Sequence, residues 1–388
     1  MSFDLAPLWS LAELINTPTP PQGELVSLDR IQGGTGRLNN EESSSTAEGR
    51  AFNAGDVLFG KLRPYLAKYW LADKDGTAQG DIHIYHPSSE TDPRFLAYLV
   101  GSNEFVRLAD AASTGTKMPR VEWSKVAQFQ VPAPARTAQH AIADYLDRET
   151  AEIDGMRADL DKMERLLMER RESLFVAIVG NEATEVRVAV TSLLITGSTP
   201  NGGRLGAKDR PEKGLPWLRP EDLDDEHASK AIKLTPAESE TVKALPANTP
   251  LFCGIGATVG KAGFANQKCA TNQQITALVP HPGFDARYLF RALQAKQHEI
   301  RETAPSSTLK IVNNQRLGAQ KVPFFPFAEQ RRIADKIDRE TAEIDSMLSD
   351  ITKLRDLLAE RRAALISAAV TGQIDIPVSP ADKDETHA

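Results

Sequence analysis

With 388 residues, 41% of them hydrophobic and 26% charged, the chain has enough apolar material for two globular cores with extended helices besides, which excludes wholesale disorder outside the polar tail after Pro377. A formal charge of −7 argues against a uniformly basic nucleic-acid binder, but the charge is uneven: −4 over residues 1–135, −3 over 136–180, +4 over 181–326 and −4 over 327–388. No apolar run approaches the roughly 20 residues of a membrane span, and the opening Met-Ser-Phe-Asp-Leu lacks the pattern of a signal peptide. Cys253 and Cys269 form no CxxC pair, which suggests a reducing, cytoplasmic setting.

Residues 1–135 read as a mixed block of short strands and helices. Gly33-Gly34-Thr35-Gly36 marks a turn, residues 56–60 a strand, and Lys61-Leu62-Arg63-Pro64-Tyr65 a basic loop. Residues 92–108 carry apolar side chains at Phe95, Leu96, Leu99 and Val106, which predicts one amphipathic helix starting at Asp92 with Pro93 in its first position. The small-residue loop at 113–120 follows, with Lys117 and Arg120 able to reach a phosphate backbone. After a helical stretch at 136–180, residues 181–326 repeat this plan more loosely. Leu58-Phe59 and Lys68 return as Leu251-Phe252 and Lys261, and residues 92–102 return as 285–295, at an offset of 193. The loop at 305–310 falls where 114–119 fell, and a second helical stretch occupies 327–376, before the polar tail at 377–388.

The two helical stretches are nearly the same sequence. Residues 139–171 align with 330–362 without a gap, and 20 of the 33 positions are identical, so the chain holds two tandem copies of one unit and is no solenoid. Apolar residues step by four and three through Ile142, Leu146, Ile153, Met156, Leu160, Met163, Leu167, Leu174 and Ala177. The second copy carries Ile333, Ile337, Ile344, Met347, Ile351, Leu354, Leu358, Leu365 and Ala368 in the same register. This is a heptad seam. It breaks at Glu149 with Arg170 and at Glu340 with Arg361, and an antiparallel pairing would set Glu149 near Arg361 and Arg170 near Glu340. Thr137 is a candidate N-cap of the first helix, and Gly180 and Gly372 are candidate stops. A dimerisation coiled coil and a strut separating two modules both fit this pattern. The second copy, following a second globular block, favours the strut.

Several enzymatic motifs fail on spacing. Gly256 to Gly260 leaves three residues where a P-loop needs four, and Ala262 follows Lys261 in place of Ser or Thr. Phe252-Cys253-Gly254-Ile255-Gly256 has the FxGxG form seen in S-adenosylmethionine-dependent methyltransferases, but no [NDS]-Pro-Pro-[YFW] tetrapeptide accompanies it. A tight turn that brings Lys261 near phosphate and a purely structural loop stay open as alternatives. His83, His86 and the two cysteines lack further ligands at metal-site spacing, so no metal site and no catalytic residue is assigned.

The order of variable block, repeated helix, variable block and repeated helix resembles the specificity (S) subunit of Type I restriction-modification enzymes. The residues carrying the resemblance are the Pro-rich entry with a Gln at the helix start (Gln139, and Glu329-Gln330), the Ile-Asp steps, the Glu-Arg-Arg near each helix end and the terminal Val370-Thr371-Gly372-Gln373-Ile374. Thr196-Gly197-Ser198-Thr199-Pro200 and Trp217-Leu218-Arg219-Pro220-Glu221-Asp222-Leu223 also resemble openings of target-recognition domains. The first block lacks a clear Gly-x-Thr-Pro. The resemblance implies an α+β fold with two mixed α/β target-recognition domains, separated by two long helices in an antiparallel coiled coil with pseudo-two-fold internal repetition. It also implies a non-catalytic subunit in the prokaryotic cytoplasm that binds double-stranded DNA and docks two methyltransferase (M) subunits and restriction (R) subunits, with no membrane partner. S-adenosylmethionine, ATP and Mg would belong to those partners, and no cofactor to this chain. Candidate DNA-contacting residues are Arg37, Lys61, Arg63, Lys117 and Arg120 in the first block, and Arg204, Arg219, Lys261, Gln273 and Lys310 in the second. Arg and Gln suit guanine and adenine edges, while Lys more often holds phosphate. Two rival readings remain: a coiled-coil scaffold linking two protein-binding domains without DNA recognition, and a free-standing methyltransferase.

Overall fold

The computed structural model describes residues 3–20, 23–39, 49–180, 183–200, 211–224, 231–304 and 310–376. Two compact units emerge: residues 1–161 with 351–388, and residues 162–350. The division cuts through both long helices, so each unit holds one recognition block and a portion of each helix.

In the first unit, strands Ala12–Ile15, Ile82–Pro87, Val57–Gly60 and Tyr69–Leu71 form an antiparallel sheet in that order. Successive strand residues point to opposite faces, and here both faces are covered. Val57, Phe59, Tyr69 and Tyr85 pack with Phe95, Leu96, Leu99, Val100 and Phe105 of the following helices. Leu58, Trp70, Ile82 and Ile84 pack with Val26, Ile31 and Phe52 on the other side. A second sheet, ordered Pro18–Thr19, Gly49–Phe52, Gly76–Ala78 and Glu24–Val26, ends in a parallel pair. The single helix expected at 92–108 is in fact two, Pro93–Gly101 and Asn103–Ala111. Asp92 caps the first by accepting from the Arg94 and Phe95 amides, at 2.7 and 3.1 Å. Ser102 leaves the helical conformation and caps the second. Gly101 lies so close to Tyr69 that a Cβ would sit 2.3 Å from its ring.

The second unit repeats the scheme with strands Ser192–Thr196, Ile275–Pro280, Thr249–Cys253 and Ala262–Ala265. Phe252 and Leu278 face the helix Ala286–Ala295, while Leu251, Cys253, Ile275 and Ala277 face a second core.

The long helices run from Arg136 to Val179 and from Phe327 to Val370, and Gly180 and Gly372 end them in the left-handed conformation expected of such stops. The first helix starts at Arg136, so Thr137 lies inside its first turn and does not cap it. In the first unit Asp154 pairs with Arg362 and Asp161 with Arg355, so the paired helices run antiparallel. In the second unit Arg170 meets Glu340 at 3.2 Å and Arg171 meets Asp345 at 3.1 Å. Glu149 takes its own neighbour Arg148 at 3.1 Å, and the cross-helix carboxylate goes to Arg362 rather than to the exposed Arg361.

The seam is buried at Ile153, Ile344 and Ile351 as well as towards the helix ends, where it joins the block cores. Ile142 and Leu146 share the first core with Ile366, Ala369 and Val370, and Leu174 shares the second with Ile333 and Ile337. Met156, Met163, Met347 and Leu354, mid-helix seam positions, are about half exposed.

Candidate nucleic-acid interface

Three loops of the first unit are tied into one platform at an end of the central sheet. Gly34 donates to the Ala67 carbonyl at 2.8 Å, Arg63 to Pro119 at 2.7 Å, and Val121 to Lys61 at 3.0 Å, while Thr114 and Arg120 exchange backbone hydrogen bonds. The short turn Pro64–Leu66 is flanked by Arg63 and Ala67, both left-handed at φ 51 and 49°. Such backbone is uncommon outside glycine and persists only where surroundings hold it. The turn exposes Tyr65 and Leu66 to about half their surface, as the neighbouring loop does Met118. Arg63 and Lys117 are exposed beside them, with the Arg63 guanidinium 3.5 Å from the Lys117 carbonyl.

Lys61 and Arg120 surround a single carboxylate. Arg120 grips Asp81 with two hydrogen bonds at 2.9 and 2.8 Å, and that contact holds the Asp81 carboxyl below the usual range, with Lys61 and Arg50 adding to it. Arg50, which sequence reasoning missed, projects from the strand Gly49–Phe52 and donates to the Gly80 and Ile82 carbonyls at 2.7 and 2.8 Å. Its signal was faint: one charge in a short strand that follows a polar run and precedes the turn at Gly55. The fifth candidate, Arg37, pairs with Asp154 at 2.7 Å. His83 is buried, 3.1 Å from the Tyr85 hydroxyl, and His86 meets Asp56 at 2.7 Å. Among the described residues, no group of three or more His, Cys, Asp or Glu could hold a metal.

In the second unit most of the candidate cations are engaged by acids. Arg219 pairs with Glu221 at 2.9 Å, Lys261 with Asp224 at 2.7 Å, and Lys310 with Glu302 at 3.3 Å. Exposed Gln273 accepts from the Thr199 hydroxyl at 2.5 Å, between Asn272 and Gln274, which bond each other at 2.8 Å. Arg204 lies outside the described residues. The glycine-rich run packs tightly: a Cβ on Gly254 would sit 2.6 Å from the Val312 carbonyl oxygen, and Val312 donates to the Gly254 carbonyl at 2.8 Å. Beside it, Ala257 to Lys261 border a cavity of about 300 Å³ with Gln297, His298 and Arg301.

The repeated glutamines explain how each helix is fixed to its block. Gln139 accepts from the Asp92 amide at 2.9 Å and donates to the Pro134 and Glu90 carbonyls at 2.9 and 3.2 Å. Gln330 accepts from the Asp285 amide at 2.8 Å and donates to the Phe325 and Gly283 carbonyls at 2.8 and 3.2 Å. Both amides are buried with their hydrogen-bonding satisfied, so each locks helix start to capping residue. Arg94 on Asp144 and Asp147, and Arg287 on Asp335 and Asp338, repeat the same bracing.

The profile of the Type I restriction modification DNA specificity domain matches residues 194–353, which hold the second block and the start of its helix. Over this stretch the chain resembles a Type I specificity domain. The resemblance carried by the helical repeat is borne out in the relatives as well. The EcoDI specificity subunit of Escherichia coli is 26% identical over 156 residues, 40% of this chain and 35% of the relative. The EcoBI specificity subunit of the same organism is 27% identical over 125 residues, 32% of this chain and 26% of that one. The chain therefore spans about a third or less of the length of these two specificity subunits. A chain from the type I R-M system, solved in work on its complex assembly and conformational transition, superposes with a TM-score of 0.77 at 18% identity, covering 96% of this chain and 98% of its own. The HsdS subunit from Thermoanaerobacter tengcongensis gives 0.60 at 18% identity, over 95% and 97%. At such identities the likeness establishes the fold alone, for the first block as well as for the residues that the profile matches.

Proposed function

We propose that this chain is the DNA-recognising specificity subunit of a Type I restriction-modification complex. The observation that carries the reading is the first unit's platform: exposed Arg63 and Lys117 beside exposed Tyr65, on loops tied to the sheet, in a chain whose other block resembles a DNA specificity domain. Each block reads one half of a bipartite target in the major groove, with Arg37, Arg63, Arg120, Arg204, Arg219 and Gln273 toward base edges and Lys61, Lys117, Lys261 and Lys310 toward phosphate. Cations already paired with acids, such as Arg120 and Lys261, exchange or share those partners on DNA, and the exchange limits affinity. With a net charge of −7 the chain alone binds modestly. Two methyltransferase subunits dock on the long helices and restriction subunits join them, in the bacterial cytoplasm. S-adenosylmethionine, ATP and Mg serve those subunits, and this chain performs no catalysis.

The test has two readouts. Mapping methylated bases in host genomes with and without the gene should give a split motif with an unspecified gap. Adding methyltransferase subunits should tighten specific binding and steepen its salt dependence, as more phosphates are neutralised. Partner binding without any DNA sequence preference would support the scaffold instead, and methylation by the isolated chain would support a free-standing methyltransferase.

A further inference from the structure

We infer that Arg362, on the second long helix, is a positioning residue for the recognition loops of the first block; this rests on the DNA-reading function proposed above. Its side chain is 8% exposed. One guanidinium nitrogen donates to Asp154 at 3.1 Å and lies 3.4 Å from the Thr150 carbonyl, and the other donates to the Thr35 carbonyl at 3.1 Å. Asp154 is shared: its second oxygen accepts from Arg37 at 2.7 Å, so the loop is held on both sides of Gly36.

The loop's other fastenings are mainly backbone, at the Ile31–Leu38 and Gly33–Lys68 bridges, and Arg362 adds the tie from the long helix. Gly34 and Gly36 are left-handed at φ 70 and 69°, and the turn closes by a Gln32-to-Arg37 backbone bond of 2.9 Å. It buries no large side chain of its own. Its outer supports include the Tyr69 ring, 3.0 Å from where a Gly36 Cβ would lie, the Gly33–Lys68 bridge and the bond from Gly34 to Ala67. Ala67 adjoins the strained turn that displays Tyr65, and Arg63 on the other side of that turn bonds Pro119. A continuous path of hydrogen bonds and backbone thus runs from Arg362 through Thr35 and Gly34 to the whole platform.

The charge is costly to bury, and the Arg362 Nε is left without a partner. A lysine could not replace it, because one ammonium cannot span a carboxylate on one side and a loop carbonyl on the other as a planar fork does. At the equivalent position of the second unit, Arg171 pairs with Asp345 with both side chains about half exposed, at 45% and 49%. The repeat therefore kept the ion pair, and only in the first unit is the arginine buried as a clamp.

The experiment uses the complete complex with methyltransferase subunits and double-stranded DNA carrying single-base changes in either half of its target. The unmodified complex should lose on the order of tenfold affinity for a change in either half. Arg362→Met and Arg362→Lys should lower that penalty to less than about threefold in the half read by the first block and leave the other half's penalty unchanged. Asp154→Asn, which retains side-chain shape, should act in the same direction, so the inference does not depend on one variant folding. Unchanged penalties in both halves, or equal losses in both, would overturn it while leaving the DNA-reading function standing. Absence of any discrimination by the unmodified complex would overturn that function, and the role of Arg362 with it.

Discussion

His83 is kept neutral by burial first, then by the nearby cations Lys61 and Arg50, with Asp81 pulling the other way; together they push its pKa from the ordinary 6.5 down to about 3. The unfolded chain binds this proton at the ordinary value, so between those limits unfolding takes up a proton. The site's contribution to stability is complete above about pH 6.5 and is lost as pH falls towards 3, by up to roughly 1.4 kcal/mol per unit. His83→Gln, which cannot titrate, should flatten the pH dependence of urea denaturation of the first unit between about pH 6 and 4. An unchanged slope would place the imidazole in contact with water. Asp81 works in the same direction, because its lowered carboxyl pKa stabilises the fold above the ordinary carboxylate range and is lost on acidification below it. Little of this was legible in the sequence. The basic loop at Lys61 and the basic residue Arg120 stood out, but that Asp81 would collect Arg120, Lys61 and Arg50 depends on strand register.

For the long helices, packing outweighs charge. Arg170 and Glu340 meet with side chains 66% and 20% exposed, so a double-mutant cycle on Arg170→Ala and Glu340→Ala should give a coupling below about 1 kcal/mol. Ile337→Ala, by contrast, empties a position 3% exposed in the second core and should cost roughly 2–4 kcal/mol in the same denaturation assay. A coupling larger than the cavity cost would reverse this ranking. The period of four and three predicted which helix faces turn inward, and at Ile142, Leu146, Ile333 and Ile337 it did so because a core waits there. Met156 and Leu354 obey the same period and stay half exposed, since periodicity carries no information about what lies opposite. The break at Ser102 was equally hidden. Gly101 against the Tyr69 ring is a tertiary contact, and the apolar spacing runs through it without a change.

At the scale of the whole chain, each unit has its own cores and its own glutamine lock, so recognition should be separable. Replacing residues 1–135 by the block of a relative should change the methylated motif in one half only. A motif altered in both halves would contradict separability. The clamp adds a condition: the incoming block must offer a loop carbonyl to Arg362, and one that does not should bind its own half-site more weakly. The repeat that predicts two blocks is plain in the sequence, because identity at 20 of 33 aligned positions survives inspection. That the first unit is completed by residues 351–370 follows from contacts between distant segments, which no local pattern reports.

The order of synthesis acquires a meaning from that last feature. Residues 162–350 form an uninterrupted stretch and can close their cores as soon as they have left the ribosome, whereas the first core needs Ile366, Ala369 and Val370 from beyond them. The block translated first is thus the last to finish, and meanwhile part of its apolar face stays open. Chains stalled with residue 350 outside the ribosome and residue 366 still inside should resist pulse proteolysis in the second unit and be cut in the first. Equal protection of both at that length would mean that the first block folds without its distant helix. If the expectation holds, the gap between the two closures is the interval in which this protein is most exposed to aggregation, and a slow segment of message near its end would lengthen it.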